Sequence, residues 1–572
     1  MRTRRLLAVA TVVLVALTGC LSLPTDGGVA EGRGGPPVDS GIEVVAPGPA
    51  EDASEEAIVQ GFLLASSFGL GDDFARAREF MTVAGASQWN SLGGVTVYSD
   101  AVPLEVTVEG AVAGSVGSSV TVAATVAATV APDGSYTEAA PGTRQEFHFQ
   151  LVQIAGDQWR ISQLEAGVLM SEVTFGTQYR EVPIYFLSGD EEPRFVPDLR
   201  WLPRSSAVRG SVRALLGGPV DWLTSPAVVT AFPGGTELAI EGVQIDDRVA
   251  TVSLSTEFLD ASAADRAYAQ KQLAETLRQL GQVNRVQISV DDNVLPIEES
   301  LAPIEATPVP VRGPVVATGE GLGLLSGNGL SQLAGGYGVP GGLDALALPY
   351  AAGPLVGLVG SRTLVALAEG GGEPTVLHAP DAPLLAPSYD AHGWVWTGPT
   401  GTATNQGQLV VANPVAGATE AVAVPDLAGA DVVAIRVSRE GARLAYAVRT
   451  TTSVIVYVAA IERDSSGRPV AVSQGQPIGA PLTNVRDLVW VDDVELGVLG
   501  ADGEAALTVL LVGVGGQTAP LPTVEGAIAV AAGDGRRELF LVTAAGDLYG
   551  RSGNGWRRID EDEGVLAAAF AG

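Results

Sequence analysis

Hydrophobic positions along this chain change their spacing from one stretch to the next, and each change marks a different kind of element. Residues 6–17 carry no charge, follow Arg2, Arg4 and Arg5, and lead into small residues. The run is shorter than the ~20 residues a helix needs to cross a bilayer, and its basic flank and small-residue exit describe a signal peptide over residues 1–19. Residues 20–50 are rich in Gly and Pro, with Gly-Gly and Pro-Pro pairs. They predict a flexible tether whose extended reach, at ~3.3 Å per residue, approaches ~100 Å. From Asp52 the spacing becomes helical: Ile58, Phe62, Ala65 and Phe68 recur on one face, with Asp52 as the cap and Glu55 reaching back as a capping box. Phe74, Ala77 and Met81 predict a second helix over residues 74–81. From Val95 the pattern turns to alternation, as in Thr121-Val122-Ala123, Phe147-His148-Phe149-Gln150-Leu151 and Asp157-Gln158-Trp159-Arg160-Ile161. Two helices ahead of a curved sheet predict an α+β cone over residues 51–175. Residues 112–130 are rich in Val, Ala and Thr, but Gly114, Gly117 and several hydroxyl residues interrupt them. Their period near two suits a strand better than a membrane span.

Residues 181–300 follow a mixed pattern. Val182-Pro183-Ile184-Tyr185-Phe186-Leu187 and Phe195-Val196-Pro197 predict paired strands, and a helix with Ala207, Val212, Leu215 and Leu216 ends at Gly217-Gly218-Pro219. Strands over 238–245 and 249–254, joined through Asp246-Asp247, precede a helix over 265–280 closed by Gly281 and a last strand over 283–290. From about Ala306, short apolar strands alternate with Gly-rich turns. Residues 384–395, the segment from Val432 with Ser438-Arg439-Glu440-Gly441 turning into Arg443-Leu444-Ala445-Tyr446, residues 485–499, and residues 527–541 with Gly533-Asp534-Gly535 share one form. Strand, polar turn and strand at ~40 to 50-residue spacing is the pattern of propeller blades, about six of them over residues 306–572. Residues 564–570 predict one more strand, pairing beside the first repeat near residues 322–333 so that the ring closes without an open edge. The fold class is multidomain and mixed: an α+β cone, a second α+β domain and an all-β propeller.

Composition narrows the partners. With 572 residues, 46% hydrophobic and 17% charged, the chain holds several folded cores. Its net charge of −32 becomes −35 once a leader carrying Arg2, Arg4 and Arg5 is removed. Such a surface repels nucleic acid and phosphate-rich polymers, which points to partners that are proteins or that carry positive patches. Lys271 is the single lysine, Cys20 the single cysteine, and His148, His378 and His392 the three histidines. No internal disulfide can form, and several enzyme classes lose their usual groups.

Candidate chemistry is correspondingly thin. Leu17-Thr18-Gly19-Cys20 has the form of a bacterial lipobox, whose cysteine receives a thioether-linked diacylglycerol and becomes the first mature residue. A lone cysteine in an exported chain could instead be a free or intermolecular thiol, but its place at the cleavage junction favours lipidation. There is no Gly-x-Ser-x-Gly elbow, and one lysine permits no Ser-x-x-Lys. Ser388, Asp390 and His392 lie too close in sequence for a triad assembled from separate elements, and His392 beside Gly393-Trp394 suits a polar turn. The histidines are too scattered for a metal site, and His148 alternates with Phe147 and Phe149 as an outward strand residue. Asp560-Glu561-Asp562-Glu563 lacks the spacing and glycine of an EF-hand loop. Residues 335–342 are glycine-rich, but no phosphate-loop Gly-Lys-Ser/Thr exists. Glycoside hydrolysis needs only two carboxylates, and nothing singles out a pair. Trp201, Trp222, Trp394, Trp396, Trp490 and Trp556 could line a groove, although packing is the simpler role, with Trp394 and Trp396 on one strand face. No catalytic residue, metal ligand or cofactor is assigned.

Ala231-Phe232-Pro233-Gly234-Gly235-Thr236, Val249-Ala250-Thr251-Val252-Ser253-Leu254-Ser255 and the strand over 283–290 resemble the GerMN domain of spore-germination proteins. A lipobox, a helical-then-β module, a GerMN-like middle and C-terminal repeats together resemble the actinobacterial LpqB lipoprotein family over essentially the whole mature length. One departure is Asp291-Asp292-Asn293 in place of a tight Asp-Gly turn, which predicts a longer loop there. The resemblance implies N-palmitoyl and S-diacylglycerol groups on Cys20 and an anchor at the extracytoplasmic face of the cell membrane. It implies an accessory protein that engages the extracytoplasmic domain of a sensor histidine kinase like MtrB, of the MtrA–MtrB two-component system, and so affects cell-wall metabolism and division. The alternative is an envelope protein that binds or hydrolyses peptidoglycan or another carbohydrate. Acidic and aromatic side chains converging on the propeller's central opening would favour it. The plainest reading is a structural envelope lipoprotein.

Overall fold

In a computed structural model of the chain, which describes residues 46–109, 117–155, 157–223, 226–310, 313–327, 329–401, 406–503, 505–559 and 564–572, the first helix starts at Ser54 and not at Asp52. The Ser54 hydroxyl accepts from the amide of Ala57, and Glu55–Ser67 buries Ile58, Val59, Phe62, Leu63 and Ala65. Asp52 stands two residues too early to reach those donors. The predicted second helix shrinks to Ala75–Arg78, because Phe74 adopts a left-handed backbone with φ of 59°. Phe74, Ala77 and Met81 are nonetheless all buried. Another short helix, Val83–Gln88, is capped by Thr82.

These helices cover a curled sheet. Gly117–Val130 alternates strictly between buried and half-exposed positions along almost its whole length, as a strand does; residues 112–116 of the stretch discussed above lie outside the described residues. Arg144–Ile154 pairs with its first half, while Val95–Tyr98 and Tyr136–Glu138 pair with its second. Val95–Tyr98 also runs parallel to Val168–Ser171. Phe62 meets Trp89 and Phe149 edge-on at centroid distances of 5.1 and 6.0 Å, joining helix to sheet.

The middle domain splits its strands between two sheets. Tyr179–Ser188 pairs with Phe195–Pro203 and with Val228–Val229. The second sheet orders Leu238–Asp246, Val249–Leu254, Arg285–Val290 and Asn293–Val294. Helices Ala207–Gly217 and Ala263–Arg278 share one core with both, among them Val182, Phe186, Leu215, Val252, Leu273 and Ile288.

The two hairpins correct the expected loops. Register pairs Val290 with Asn293, so Asp291-Asp292 forms a two-residue turn with φ of 48° and 61°. The loop is therefore not lengthened: aspartate tolerates the left-handed region well enough to replace the usual glycine. Asp247-Arg248, with φ of 45° and 63°, makes the same turn between Asp246 and Val249. Asp292→Gly is expected to stabilise the chain by about 0.5 kcal/mol by relieving this conformation. A urea titration showing a lower midpoint would mean that the aspartate contributes more than its backbone costs.

Six blades follow. In chain order, five are Leu343–Ala347 to Thr375–His378, Ser388–Tyr389 to Ala418–Ala428, Asp431–Val437 to Gln476–Leu482, Asn484–Trp490 to Thr518–Pro520, and Ala527–Ala532 to Gly555–Ile559. We number these two to six. Blade one combines Val315–Thr318, Gly321–Ser326 and Gly329–Gln332 with the C-terminal strand Val565–Ala569, which pairs with Val315–Thr318. The ring closes as expected, but on residues 315–318 and not on 322–333. Val315–Thr318 is the strand with a free inner edge, since Gly321–Ser326 is already paired on both sides. An extra strand, Pro469–Val472, pairs with Val454–Arg463 and touches Ala423, fusing blades three and four.

Candidate functional site

The turns between first and second strands of blades three to five carry buried charge towards the middle domain. Arg443, fully buried, donates from Nε to Glu440 at 2.7 Å, from Nη1 to the carbonyl of Pro197 at 3.3 Å, and from Nη2 to the carbonyl of Asp493 at 2.6 Å. Its guanidinium lies 4.7 Å from the Trp490 ring centroid. One side chain thus joins blade four, blade five and the middle domain. Tyr185 of the middle domain donates to the Asp493 carboxylate at 3.2 Å. Burial pushes the Asp493 carboxyl up, against the pull of Arg443 beside it. Arg439 donates to the carbonyls of Trp490, Val491 and Gly533, tying blade four to five and six.

Blade three makes a parallel contact. The Asp390 carboxylate accepts from the amides of His392 and Trp394, from Trp396 Nε1, and from Arg463 Nη2, each at 2.9 Å. Ser388 is occupied otherwise, its hydroxyl accepting from the amide of Val437. His392 turns away from both and places Nε2 3.4 Å from Asp190 and 3.3 Å from Arg194 Nη1, both of the middle domain. Burial alone would raise the Asp190 carboxyl, but His392, Arg463 and Ser188 together hold it below its usual value. These three residues are therefore a turn and a domain contact, with no nucleophile facing a base.

All three domains meet around strand Phe195–Pro203. Asp198 and Arg200, both buried on one side of it, pair through Nε at 3.0 Å and Nη2 at 2.7 Å. Arg200 Nη1 reaches the N-terminal domain, donating to the carbonyl of Asp133 at 2.8 Å and lying 3.0 Å from its carboxylate. Trp201 donates from Nε1 to the carbonyl of Gly515 in blade five and stacks 4.7 Å from Phe175 and 5.4 Å from Tyr136. Next to it, Thr518 donates to Glu138, whose carboxyl burial holds up. Beside this junction opens a cleft of about 1410 Å3, lined by Tyr136, Arg200, Trp201, Arg213, Trp222 and Gln476 among others from all three domains.

Comparison with known proteins bears on the whole chain. Residues 48–176 match the family described as the N-terminal domain of lipoprotein LpqB, residues 183–296 that described as sporulation and spore germination, and residues 320–567 that of the LpqB beta-propeller domain. Lipoprotein LpqB of Thermobifida fusca is 31% identical over 89% of this chain and 90% of its own. The chain belongs to the LpqB lipoprotein family. LpqB of Streptomyces coelicolor is 29% identical, over 98% of this chain and 97% of its own. Among solved structures, the first GerMN domain of the sporulation protein GerM from Bacillus subtilis aligns with 22% of this chain and 93% of its own, at 20% identity and a TM-score of 0.18.

The remaining candidates take plain places in this LpqB lipoprotein. Leu17, Thr18, Gly19 and Cys20 lie outside the described residues, as do residues 560–563. His148 points outward beside Glu165 at 3.4 Å, and His378 ends the outer strand of blade two. Among the described residues no group of three His, Cys, Asp or Glu is placed to hold a metal, and no helix is long and apolar enough to cross a membrane. Residues 335–342 connect blades one and two, with Tyr337 donating to Glu369. Trp394 and Trp396 share one hydrophobic cluster while Val395 joins the next, as a common strand face requires. The propeller axis holds about 50 Å3, lined by Arg436, Arg439, Tyr350, Trp490 and Phe570, and not by converging carboxylates. That space is smaller than a sugar ring needs.

Sequence reasoning missed Arg443, Asp198 and Arg200 as organising residues. For the last two a signal existed: two opposite charges at a spacing of two within an apolar strand fall on one face and must pair if that face is buried.

Proposed function

We propose that this lipoprotein is an accessory binding protein, held by acylated Cys20 at the extracytoplasmic face of the membrane, that modulates a sensor histidine kinase of the MtrB type. Through it the protein acts on cell-wall metabolism and division. The observation that supports this reading is the junction itself: buried arginines donate across the domain boundaries to the carbonyls of Asp133 and Pro197 beside an open cleft, a frame suited to recognition. The reading also fits the turn of Ser388, Asp390 and His392 in this chain, which places no nucleophile against a base.

In-cell cross-linking of the anchored protein, followed by mass spectrometry, tests the partner. Recovery of the kinase from the native strain, and its loss from a Cys20→Ala strain, is the expected result. Repeated capture of wall fragments or wall enzymes alone would overturn the kinase role. The anchor has its own check: Cys20→Ala is expected to leave the membrane pellet almost entirely, since stable anchoring takes more than one acyl chain or a second signal. A variant that stays with the membrane would show that something other than lipid holds it.

A further inference from the structure

We propose that the contact between Tyr185 of the middle domain and Asp493 of blade five is a proton-operated latch, which holds the middle domain to the propeller more firmly in acid than at neutral pH. The latch concerns the frame alone and does not depend on what the protein binds.

Geometry leaves the Asp493 carboxylate without a cation of its own. Arg443, beside it, commits Nε to Glu440, Nη1 to the carbonyl of Pro197 and Nη2 to the backbone carbonyl of Asp493 itself. Among the described residues the carboxylate makes no ion pair, and the one hydrogen bond it accepts comes from the neutral Tyr185 hydroxyl at 3.2 Å. Two further carboxylates face it: Asp492 on its own turn, and Glu440 on the turn of blade four, buried and with one oxygen unpartnered. From the middle domain, Glu275 on helix Ala263–Arg278 adds its charge beside Tyr185. Asp492 lies near Arg439 and Glu495, but Arg439 is committed to backbone carbonyls and Glu495 to Arg536. Carboxylates thus outnumber the guanidiniums at this contact. Among the described residues no group is placed to hold a metal ion, so the species that neutralises the surplus is a proton.

The direction follows from linkage. Burial pushes the Asp493 carboxyl up, and Asp492 and Glu440 add to the rise against the pull of Arg443 and Tyr185. Asp492 rises with it through burial and the charge of Glu495, against the amide of Val494 and the charge of Arg439. Burial, Asp493 and Glu275 keep the Tyr185 hydroxyl protonated, so it donates to the carboxyl in either state. When the domains part, water reaches Asp493 and its carboxyl returns to the ordinary value of ~3.9. The closed junction therefore binds the proton more tightly than the open one. Its extra hold is complete below about pH 4 and fades as pH rises through the raised value of the closed state. Asp190 and Asp133, at the other domain contacts, are held below their usual value and stay charged throughout that window.

Thiol labelling tests the latch. Ala442 lies on the turn of blade four, buried, and shares the hydrophobic cluster of the middle domain, so a cysteine there is reached when the junction opens. Ala442→Cys is placed in the full-length protein, labelled with a disulfide reagent that reacts in acid, and read at that residue by mass spectrometry. Dividing by the rate for the unfolded chain at the same pH removes the chemistry of the thiol. Labelling is expected to be at least about threefold slower near pH 5 than near pH 7.5. Asp493→Asn keeps the shape and the Arg443 bond to the backbone but carries no charge. It should remove at least about half of that difference by labelling more slowly at neutral pH, the remainder falling to Asp492. Tyr185→Phe takes away a bond that favours the charged carboxyl, and should move the midpoint of the pH curve upward. A flat curve in the native sequence, faster labelling of Asp493→Asn at neutral pH, or an unmoved midpoint in Tyr185→Phe would each overturn the latch. His392, against Asp190 and Arg194, is the histidine at this junction, and His392→Gln should preserve the curve. A curve lost in that variant would assign the effect to His392 and end the proposal.

Discussion

Deleting residues 564–572 is expected to leave the C-terminal domain unable to close and the chain prone to aggregate. Val565–Ala569 forms the innermost strand of blade one, and its removal uncovers Val315–Thr318, four residues that are all buried. Val565, Ala567 and Phe570 are buried with it, and Gly572 donates its amide to Leu348 of the neighbouring blade. At ~1.5 to 3 kcal/mol for each large side chain, plus the lost ladder, the deletion costs on the order of 5 kcal/mol or more. A whole domain has only ~5 to 15 kcal/mol in hand, so the loss approaches the total. The new free edge is apolar and flat, the form most given to intermolecular pairing. Calorimetry should show the propeller transition lost, and size exclusion should show aggregates. A truncated chain that melts within about two degrees of the intact one would mean that ring closure contributes little.

That closure was legible in the sequence because strand, turn and strand recur at a steady interval and a terminal apolar run has nowhere else to go. Alternation also located Gly117–Val130 and separated it from a membrane span. What stayed hidden depends on contacts between distant residues. Nothing near Arg443 in sequence announces Pro197, which lies 246 residues away. His392 looked like a turn residue and is one, but its second role, against Asp190 and Arg194, needs the middle domain docked on the blade. Local errors have local causes. Asp52 and Ser54 both suit a cap, and only backbone geometry chooses Ser54. Asp291-Asp292 adopts a turn that statistics assign to Asn-Gly, because the strands on either side fix the register first.

Arg443→Met is expected to cost about 3 to 5 kcal/mol and to uncouple the middle domain from the propeller. The arginine is fully buried and supplies three donors to three different elements, so methionine replaces its volume but none of its bonds. Worse, Glu440 remains, itself buried and with one carboxylate oxygen already lacking a partner. Leaving a carboxylate without its cation inside the protein is dearer than losing the pair, so the partner determines the magnitude. Arg443→Met combined with Glu440→Gln should therefore recover a large part of the loss, although the bonds to Pro197 and Asp493 stay broken. The measurement is a double-mutant cycle by chemical denaturation, with limited proteolysis between residues 297 and 314 reporting domain release. If the single and double variants lost equally, the Glu440 charge would not be the source of the cost. The guanidinium would then act through its carbonyl contacts alone, and domain release would appear in both variants. If neither variant separated the two domains, Tyr185, Trp201 and His392 would be sufficient to hold them together, and Arg443 would be a support of blade four rather than the tie across the junction.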